Sequence, residues 1–250
     1  MGLKGIVLAG GEGTRFRPLT YYFQKCMIPI GDEQKPILDY ILRLLKYHNV
    51  KDTVLLVGYK HQQIENYFEH GERFGVEMTY VLDDPNLKGS ANAILNAYRK
   101  GAISDEDTLV VYYGDIISNI DLGAMVSHHQ SKNAEATLAL ARRYNISVGK
   151  AELDGTRVTN FVEKPDLMQP VSIGILTLSG SVLREMADLQ AQGQFKSFDL
   201  MGDVISYLVQ KRRRVEAYLT DAFWYDLGSI ERYERLSNDR ITEEMGYLLK

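Results

Sequence analysis

The sequence predicts a doubly wound α/β domain, in which a mostly parallel sheet carries helices on both faces. Three observations lead there. Short apolar runs of strand length alternate with longer stretches of helical period through the first half of the chain. Those runs are continuously apolar rather than alternating, as strands buried on both faces should be. The connections between them are long enough to hold a helix, which implies right-handed crossovers and parallel pairing.

The elements follow in order. Leu3–Leu8 is the first strand and ends near Gly10-Gly11. Ile37, Ile41, Leu44 and Leu45 fall at helical spacing, with Pro36 suited to the first helical position and Asn49 near the end. Thr53–Val57 is a strand, and the helix after it carries Ile64, Tyr67 and Phe68. Val76–Leu82 and Thr108–Tyr113 are strands on either side of a helix over Ala91–Tyr98. Beyond residue 133, strand-like pieces crowd together at Glu135–Ala141, Val148–Leu153, Arg157–Val162 and Val171–Leu178, with Asp154-Gly155 as a hairpin turn. Helical stretches around Val182–Leu189 and Asp199–Val209, a strand at Val215–Leu219 and an amphipathic segment after Ser229 complete the chain. With no linker, low-complexity tract or repeat, residues 1–250 read as one Rossmann-like domain with a mixed sheet, divided near residue 133.

Composition excludes several classes. At 250 residues the chain can bury roughly 70–75% of its unfolded surface and needs no staples. Hydrophobic residues at 45% and charged residues at 25% are globular values and rule out a disordered chain. A net charge of −4 argues against a nucleic-acid footprint. Cys26 is the sole cysteine, so neither a disulfide framework nor a multi-cysteine metal site is available. No stretch approaches the ~20 apolar residues of a membrane span, the N-terminal run is too short for a signal core, and Ile6 stands where myristoylation needs Ser or Thr. A cytoplasmic protein without membrane or nucleic-acid partners is expected. Lys211–Arg214 reads as a solvated helix end, and Tyr21-Tyr22 and Tyr112-Tyr113 read as packing residues. The five histidines, at 48, 61, 70, 128 and 129, show no metal-ligand spacing.

In a sheet of this kind the ligand crevice lies beyond the carboxyl ends of the strands, just after Leu8, Val57, Leu82 and Tyr113. The segment leaving the first strand runs Leu8-Ala9-Gly10-Gly11-Glu12-Gly13-Thr14-Arg15-Phe16-Arg17-Pro18-Leu19-Thr20. Three glycines in four residues allow positive φ and let backbone N–H groups approach an anion, while Arg15 and Arg17 add forks suited to phosphate. It is not a dinucleotide fingerprint, because Phe16 stands where glycine is required. Nor is it a P-loop, because Phe16-Arg17 does not supply Gly-Lys-Ser/Thr.

Gly11-Glu12-Gly13-Thr14-Arg15-Phe16-Arg17-Pro18-Leu19-Thr20 resembles the signature of the sugar-1-phosphate nucleotidyltransferases, and the resemblance extends over most of the chain. Lys25-Cys26-Met27-Ile28-Pro29 is similar to the family's Pro-Lys-Pro-x-x-Pro element, with Gln24 and Cys26 replacing the flanking prolines, and Pro36–Tyr40 resembles the helix start after it. Phe223–Ser229 resembles Trp-x-Asp-x-Gly-Thr, and Phe161–Pro165 resembles Val-Glu-Lys-Pro. The resemblance implies a nucleotide-binding half over about 1–133 and a sugar-phosphate-binding half over about 134–250. It assigns Arg15, Lys25, Asp115, Lys164 and Asp226 to catalysis, with Asp115 and Asp226 as ligands of Mg²⁺, the implied cofactor. Leu8, Ala9, Gly10, Gly11, Gly13, Thr14, Asp83 and Gly89 fall to the nucleotide, and Gly149, Glu163, Lys164 and Gly174 to the sugar phosphate.

The implied substrates are an NTP and a sugar 1-phosphate, joined to an NDP-sugar with release of pyrophosphate; homo-oligomerisation stays open. Asp83-Asp84 stand where pyrimidine readers carry glutamine, and carboxylates suit the N1–H and amine of guanine, so GTP with mannose 1-phosphate is favoured over dTTP or UTP with glucose 1-phosphate. A non-catalytic nucleotide-sugar sensor should have lost Arg15, Lys25 or an aspartate, and a glycosyltransferase should carry Asp-x-Asp; neither condition holds. The hexapeptide repeats of longer relatives do not occur, so a fused acyltransferase is not expected.

Overall fold

The computed structural model describes residues 2–145, 148–193 and 195–250. In chain order, β1 (Leu3–Ala9) is followed by a looped segment, the short pair β2 (Pro29–Ile30) and β3 (Lys35–Pro36), and helix α1 (Ile37–Tyr47). Then come β4 (Asp52–Val57), α2 (His61–Phe68), β5 (Glu77–Leu82), α3 (Ser90–Arg99), β6 (Thr108–Tyr113), β7 (Ile116–Ser118) and α4 (Leu122–Ser131). The second half holds β8 (Ala136–Ala141), β9 (Tyr144–Asn145), β10 (Lys150–Asp154), β11 (Arg157–Val162), β12 (Asp166–Leu167), β13 (Val171–Ser179) and α5 (Val182–Gln192). A π-helical turn (Leu200–Ile205) leads into α6 (Ser206–Gln210), and β14 (Val215–Thr220), β15 (Trp224–Asp226), α7 (Ile230–Glu234) and α8 (Asn238–Met245) end the chain.

Seven strands form one sheet in the order β14-β8-β13-β6-β1-β4-β5. β1 pairs in parallel with β4 and β6, β4 with β5, and β14 with β8, whereas β13 runs antiparallel to both neighbours. The β6–β13 pairing carries the sheet across residue 133, so the two halves share one sheet. Continuous hydrophobicity of the strands has the expected cause. In β1, Val7 and Ala9 pack with α1, α2 and α4, while Ile6 packs with α3 and α5 on the other face. α1 is buried on most of its circumference because the C-terminal segment returns over it, bringing Ile241, Met245 and Leu248 into the same cluster. No helix among the described residues is long and apolar enough to cross a membrane.

Several elements differ from the sequence reading. Pro36 precedes α1 instead of opening it, because its extended backbone (φ −54°, ψ 147°) pairs with Pro29. α4 was not anticipated, although Asp121 caps it by accepting from the Ala124 N–H at 2.8 Å. The stretch expected as one helix from Asp199 to Val209 starts as a π turn, and the segment after Ser229 breaks in two where Ser237 caps α8. Tyr112 is fully buried, but Tyr21 and Tyr22 are 56% and 71% exposed and do not pack into the core. Arg213 is not merely solvated, since it bridges Glu135 and Glu185.

β7 and β15 went unread as strands because each is only three residues long. They pair antiparallel, and fully buried Ser118 ties them further by donating to the Phe223 carbonyl at 2.7 Å and accepting from the Ile120 N–H at 3.1 Å. Ser118→Ala leaves the Ile120 N–H without its acceptor in the interior, while the Phe223 carbonyl keeps the Asn119 N–H at 3.2 Å, and is expected to cost about 1–3 kcal/mol. Urea unfolding should show a lower midpoint with an unchanged slope; an unchanged midpoint would contradict this role.

Candidate active site

The expected crevice lies where β1, β4, β5 and β6 end. Backbone bonds fix its floor: Gly114 N–H donates to the Leu8 carbonyl at 3.0 Å, Tyr59 N–H to the Gly10 carbonyl at 3.0 Å, and Asp83 N–H to the Val57 carbonyl at 2.7 Å. Leu8, Ala9 and Gly10 therefore sit beside Asp83 and Gly114. The loop beyond is tied down by side chains. Thr20 donates to the Gly13 carbonyl at 2.9 Å, and buried Gln24 donates to the Ala9 carbonyl at 2.7 Å. Gln24 also accepts from the Cys26 N–H, so it replaces the rigidity of the absent prolines with hydrogen bonds. Of the three glycines only Gly13 takes positive φ, at 62°. Gly11 is exposed, and Thr14 and Arg15 lie in a 3₁₀ turn with exposed side chains. Arg17 pairs with Glu12 at 3.4 Å and lies over the Tyr21 ring.

Gly10 is required by contact, not by conformation. A β-carbon there would collide with Asp83 Oδ2, whose carboxylate fills the gap beside Gly10 and Gly58. Asp83 Oδ1 is buried without a hydrogen-bond partner among the described residues. Burial raises its carboxyl from 3.8 to about 6, against a weaker opposing pull from Lys100. Asp84, by contrast, turns away to accept from the Asn86 N–H at 2.8 Å. Gly89, with φ 106°, caps α3 where any β-carbon would strike the Phe198 backbone. Ser90 follows it. Its hydroxyl donates to Asp199 at 2.7 Å and accepts from the Leu200 N–H at 2.9 Å and from Tyr113 at 3.3 Å.

Asp115 and Asp226 are brought together by the β7–β15 ladder, in which Asp226 registers with Ile116. Leu227 N–H donates to the Asp115 carbonyl at 2.8 Å. Each carboxylate holds a cation. Lys25 Nζ lies 2.5 Å from Asp115 Oδ2, largely buried, and Arg232 pairs with Asp226 Oδ2. The Cys26 thiol packs under Gly114, where burial and then the Asp115 charge push its pKa up to about 12. A buried thiol held protonated in this way is a packing group rather than a nucleophile.

The second-half residues gather on and beside the β10–β11 hairpin. Glu163 Oε2 would lie 3.0 Å from a β-carbon on Gly149, so those two are neighbours. Lys164 follows with φ 49°, and both side chains are exposed. Gly174, with φ 75°, sits in the irregular stretch of β13 against Ile116 and Tyr113, close to the Asp115 turn. Sequence reasoning missed Arg232, Gln24, Ser90 and Asp199. The signal for Arg232 was its place three residues after the capping Ser229; Gln24 had registered only as a missing proline. A hollow of about 580 Å³ elsewhere, lined in part by Asn133, Ser181 and Arg212–Arg214, lies at the opposite edge of the sheet.

The seat of Asp83 has a testable cost. Its raised pKa means the folded state disfavours the charged form, a penalty complete above about pH 6 and absent below the ordinary value of 3.8. Asp83→Asn should therefore raise the unfolding midpoint at pH 7.5, with the gain fading as pH falls from 6 to 4. A midpoint shift independent of pH would contradict it.

Comparison with known proteins identifies the family. Residues 4–243 match the family described as nucleotidyl transferase. The chain is 32% identical over 245 residues to UTP–glucose-1-phosphate uridylyltransferase of Synechocystis, covering 92% of this chain but 61% of that protein, so it spans about three-fifths of that relative. It is 28% identical to D-glycero-alpha-D-manno-heptose 1-phosphate guanylyltransferase of Aneurinibacillus thermoaerophilus, covering 95% and 98% of the two chains. A Bacillus anthracis protein assigned as a glucose-1-phosphate thymidylyltransferase shares the fold, with a TM-score of 0.74 at 23% identity over 94% and 93% of the chains. The crevice motifs at Gly11–Thr20 and the paired aspartates thus sit in a chain that belongs to the nucleotidyl transferase family.

Proposed function

We propose that this protein transfers a guanylyl group from GTP to a sugar 1-phosphate, releasing pyrophosphate. The observation that carries the transfer is the convergence of Lys25, Asp115 and Asp226 at the strand ends, under the Leu227–Asp115 backbone bond.

The residues fit a divalent ion. Among the described residues no three His, Cys, Asp or Glu side chains cluster to hold a metal alone. Two carboxylates on adjoining backbone offer hard oxygens, the donor set Mg²⁺ uses when substrate phosphates complete its shell. Asp115 and Asp226 would hold it, and when bound it supplies charge neutralisation between the two phosphates. The chain's own groups do the rest. Backbone N–H groups of residues 10–14 and the Arg15 guanidinium cradle the β- and γ-phosphates. Lys25 neutralises charge at the α-phosphate. Lys164 and Glu163 receive the sugar phosphate and sugar hydroxyls. A sugar phosphate oxygen, already ionised at neutral pH, forms a bond to the α-phosphorus as the bond to pyrophosphate breaks. No proton has to be removed, so positioning and charge carry the rate.

Asp83 favours guanine. A carboxylate accepts two hydrogen bonds side by side, and guanine offers adjacent N1–H and N2–H donors. Uracil and thymine set one N–H between two carbonyls that a carboxylate repels. Adenine and cytosine each place a ring acceptor beside their amine. Guanine would also supply the donors that buried Asp83 Oδ1 lacks. The heptose 1-phosphate guanylyltransferase relative fits this choice of base, while the uridylyltransferase relative acts on another.

Pyrophosphate release measured with each NTP against glucose, mannose and heptose 1-phosphates should favour GTP by about 10–100-fold, and Asp83→Ala should erase that preference. Equal rates with all nucleotides would contradict the base assignment. Because a protonated Asp83 turns one of its two acceptors into an O–H that opposes a guanine donor, the KM for GTP should rise as pH falls below about 6. Asp115→Asn should lower turnover at least ~10²-fold while leaving the fold intact; near-normal turnover would exclude its role.

A further inference from the structure

Arg232 stands at the junction of the candidate metal site and the second half. Its Nη1 pairs with Asp226 Oδ2 and reaches the Asp226 carbonyl at 3.5 Å, while Nη2 lies 3.4 Å from the Tyr144 hydroxyl. Tyr144 stacks on Trp224 with ring centroids 5.8 Å apart. Its strand, β9, pairs with β12, which starts two residues after Lys164. One guanidinium therefore links the Asp226 carboxylate to the chain that carries Glu163 and Lys164.

The arginine's backbone does not need that side chain for its place. Ser229 caps α7 by accepting from the Arg232 N–H at 3.4 Å, and Tyr225 donates to the Arg232 carbonyl at 2.7 Å. The guanidinium can turn on its flexible stem without disturbing the helix. Its contact with Asp226 is also exchangeable, because the two side chains are 41% and 32% exposed and such pairs are weakly held. The Lys25–Asp115 pair is deeper, at 12% and 26%. A divalent ion on Asp226 Oδ2 would compete for the same lone pairs and repel the guanidinium. A phosphate arriving beside the ion would offer the displaced guanidinium a new anion to bind.

We propose that Arg232 is a substrate-binding residue that leaves Asp226 when a divalent ion takes that carboxylate and turns its fork to the phosphoryl group of the sugar 1-phosphate. This rests on the reading of Asp226 as a metal ligand and of a sugar 1-phosphate as the acceptor. Arginine suits the task because its planar fork can bind two phosphate oxygens at once.

The test uses the full chain and two readouts. In the first, Mn²⁺ is titrated without substrates and followed by electron paramagnetic resonance. Arg232→Gln removes the competing cation, so Mn²⁺ affinity should rise by about threefold or more. In the second, steady-state kinetics of Arg232→Gln should show the KM for the sugar 1-phosphate raised about tenfold, with the KM for NTP unchanged. Arg232→Lys should recover part of the loss, and it replaces the glutamine variant if that variant fails to fold. Unchanged or weaker Mn²⁺ binding overturns the proposal, as does an unchanged sugar-phosphate KM or an equal rise for both substrates. Asp226→Asn separates the underlying reading: if it binds Mn²⁺ as the wild type does, Asp226 is no ligand and the proposal falls with it.

Discussion

One backbone hydrogen bond organises the edge of this molecule where the candidate active site lies. Leu227 N–H donates to the Asp115 carbonyl at 2.8 Å and closes the short β7–β15 ladder outside the main sheet. Asp115 follows the carboxyl end of β6, in the first half of the chain, whereas Asp226 arrives from near its far end. Lys25 pairs with Asp115 and Arg232 with Asp226, so each of the two aspartates on this adjoining backbone has its charge offset by its own cation. The core behind them is correspondingly over-determined. Ser118 and Asn119 both bond the Phe223 backbone, and α8 and Leu248 seal α1 from outside.

A second constraint runs from Gly10 to Asp83. Gly10 leaves the space that the Asp83 carboxylate fills, and that carboxylate sits where burial works against its charge. A group with an unsatisfied buried oxygen weakens the fold, so its presence argues for a use at the crevice. The network through Tyr113, Ser90 and Asp199 belongs to the same design. It joins the strand that precedes Asp115 to the helix start beside Gly89, where a β-carbon has no room.

Much of this was legible in the residues. The strands at Leu3–Ala9, Asp52–Val57 and Thr108–Tyr113 announce themselves because burial on both faces confines polar residues to their first positions and leaves an unbroken apolar run behind. The apolar run ending at Tyr113 placed Asp115 at a strand end, and the family resemblance gave it its role as a site residue. What stayed hidden depends on partners distant in sequence. β7 and β15 are too short for any periodicity, and each is stable only against the other. Arg232 lies on a helix of five residues, and its meaning comes from Asp226 and Tyr144. The residue pattern gives no physical ground for choosing Asp83, the residue the resemblance assigns to the nucleotide, over Asp84. Only the fold shows one carboxylate on the crevice floor and the other bent into its own turn. The antiparallel course of β13 was equally unreadable, since its composition matches that of a parallel core strand.

The most direct measurement of the central claim is a crystal structure of the protein with Mg²⁺ and a GTP analogue that cannot transfer its nucleotidyl group. The account predicts the metal on oxygens of both Asp115 and Asp226, the α-phosphate beside Lys25, and guanine N1–H and N2–H directed at Asp83. A metal bound away from that aspartate pair, or a base seated away from Asp83, would contradict it.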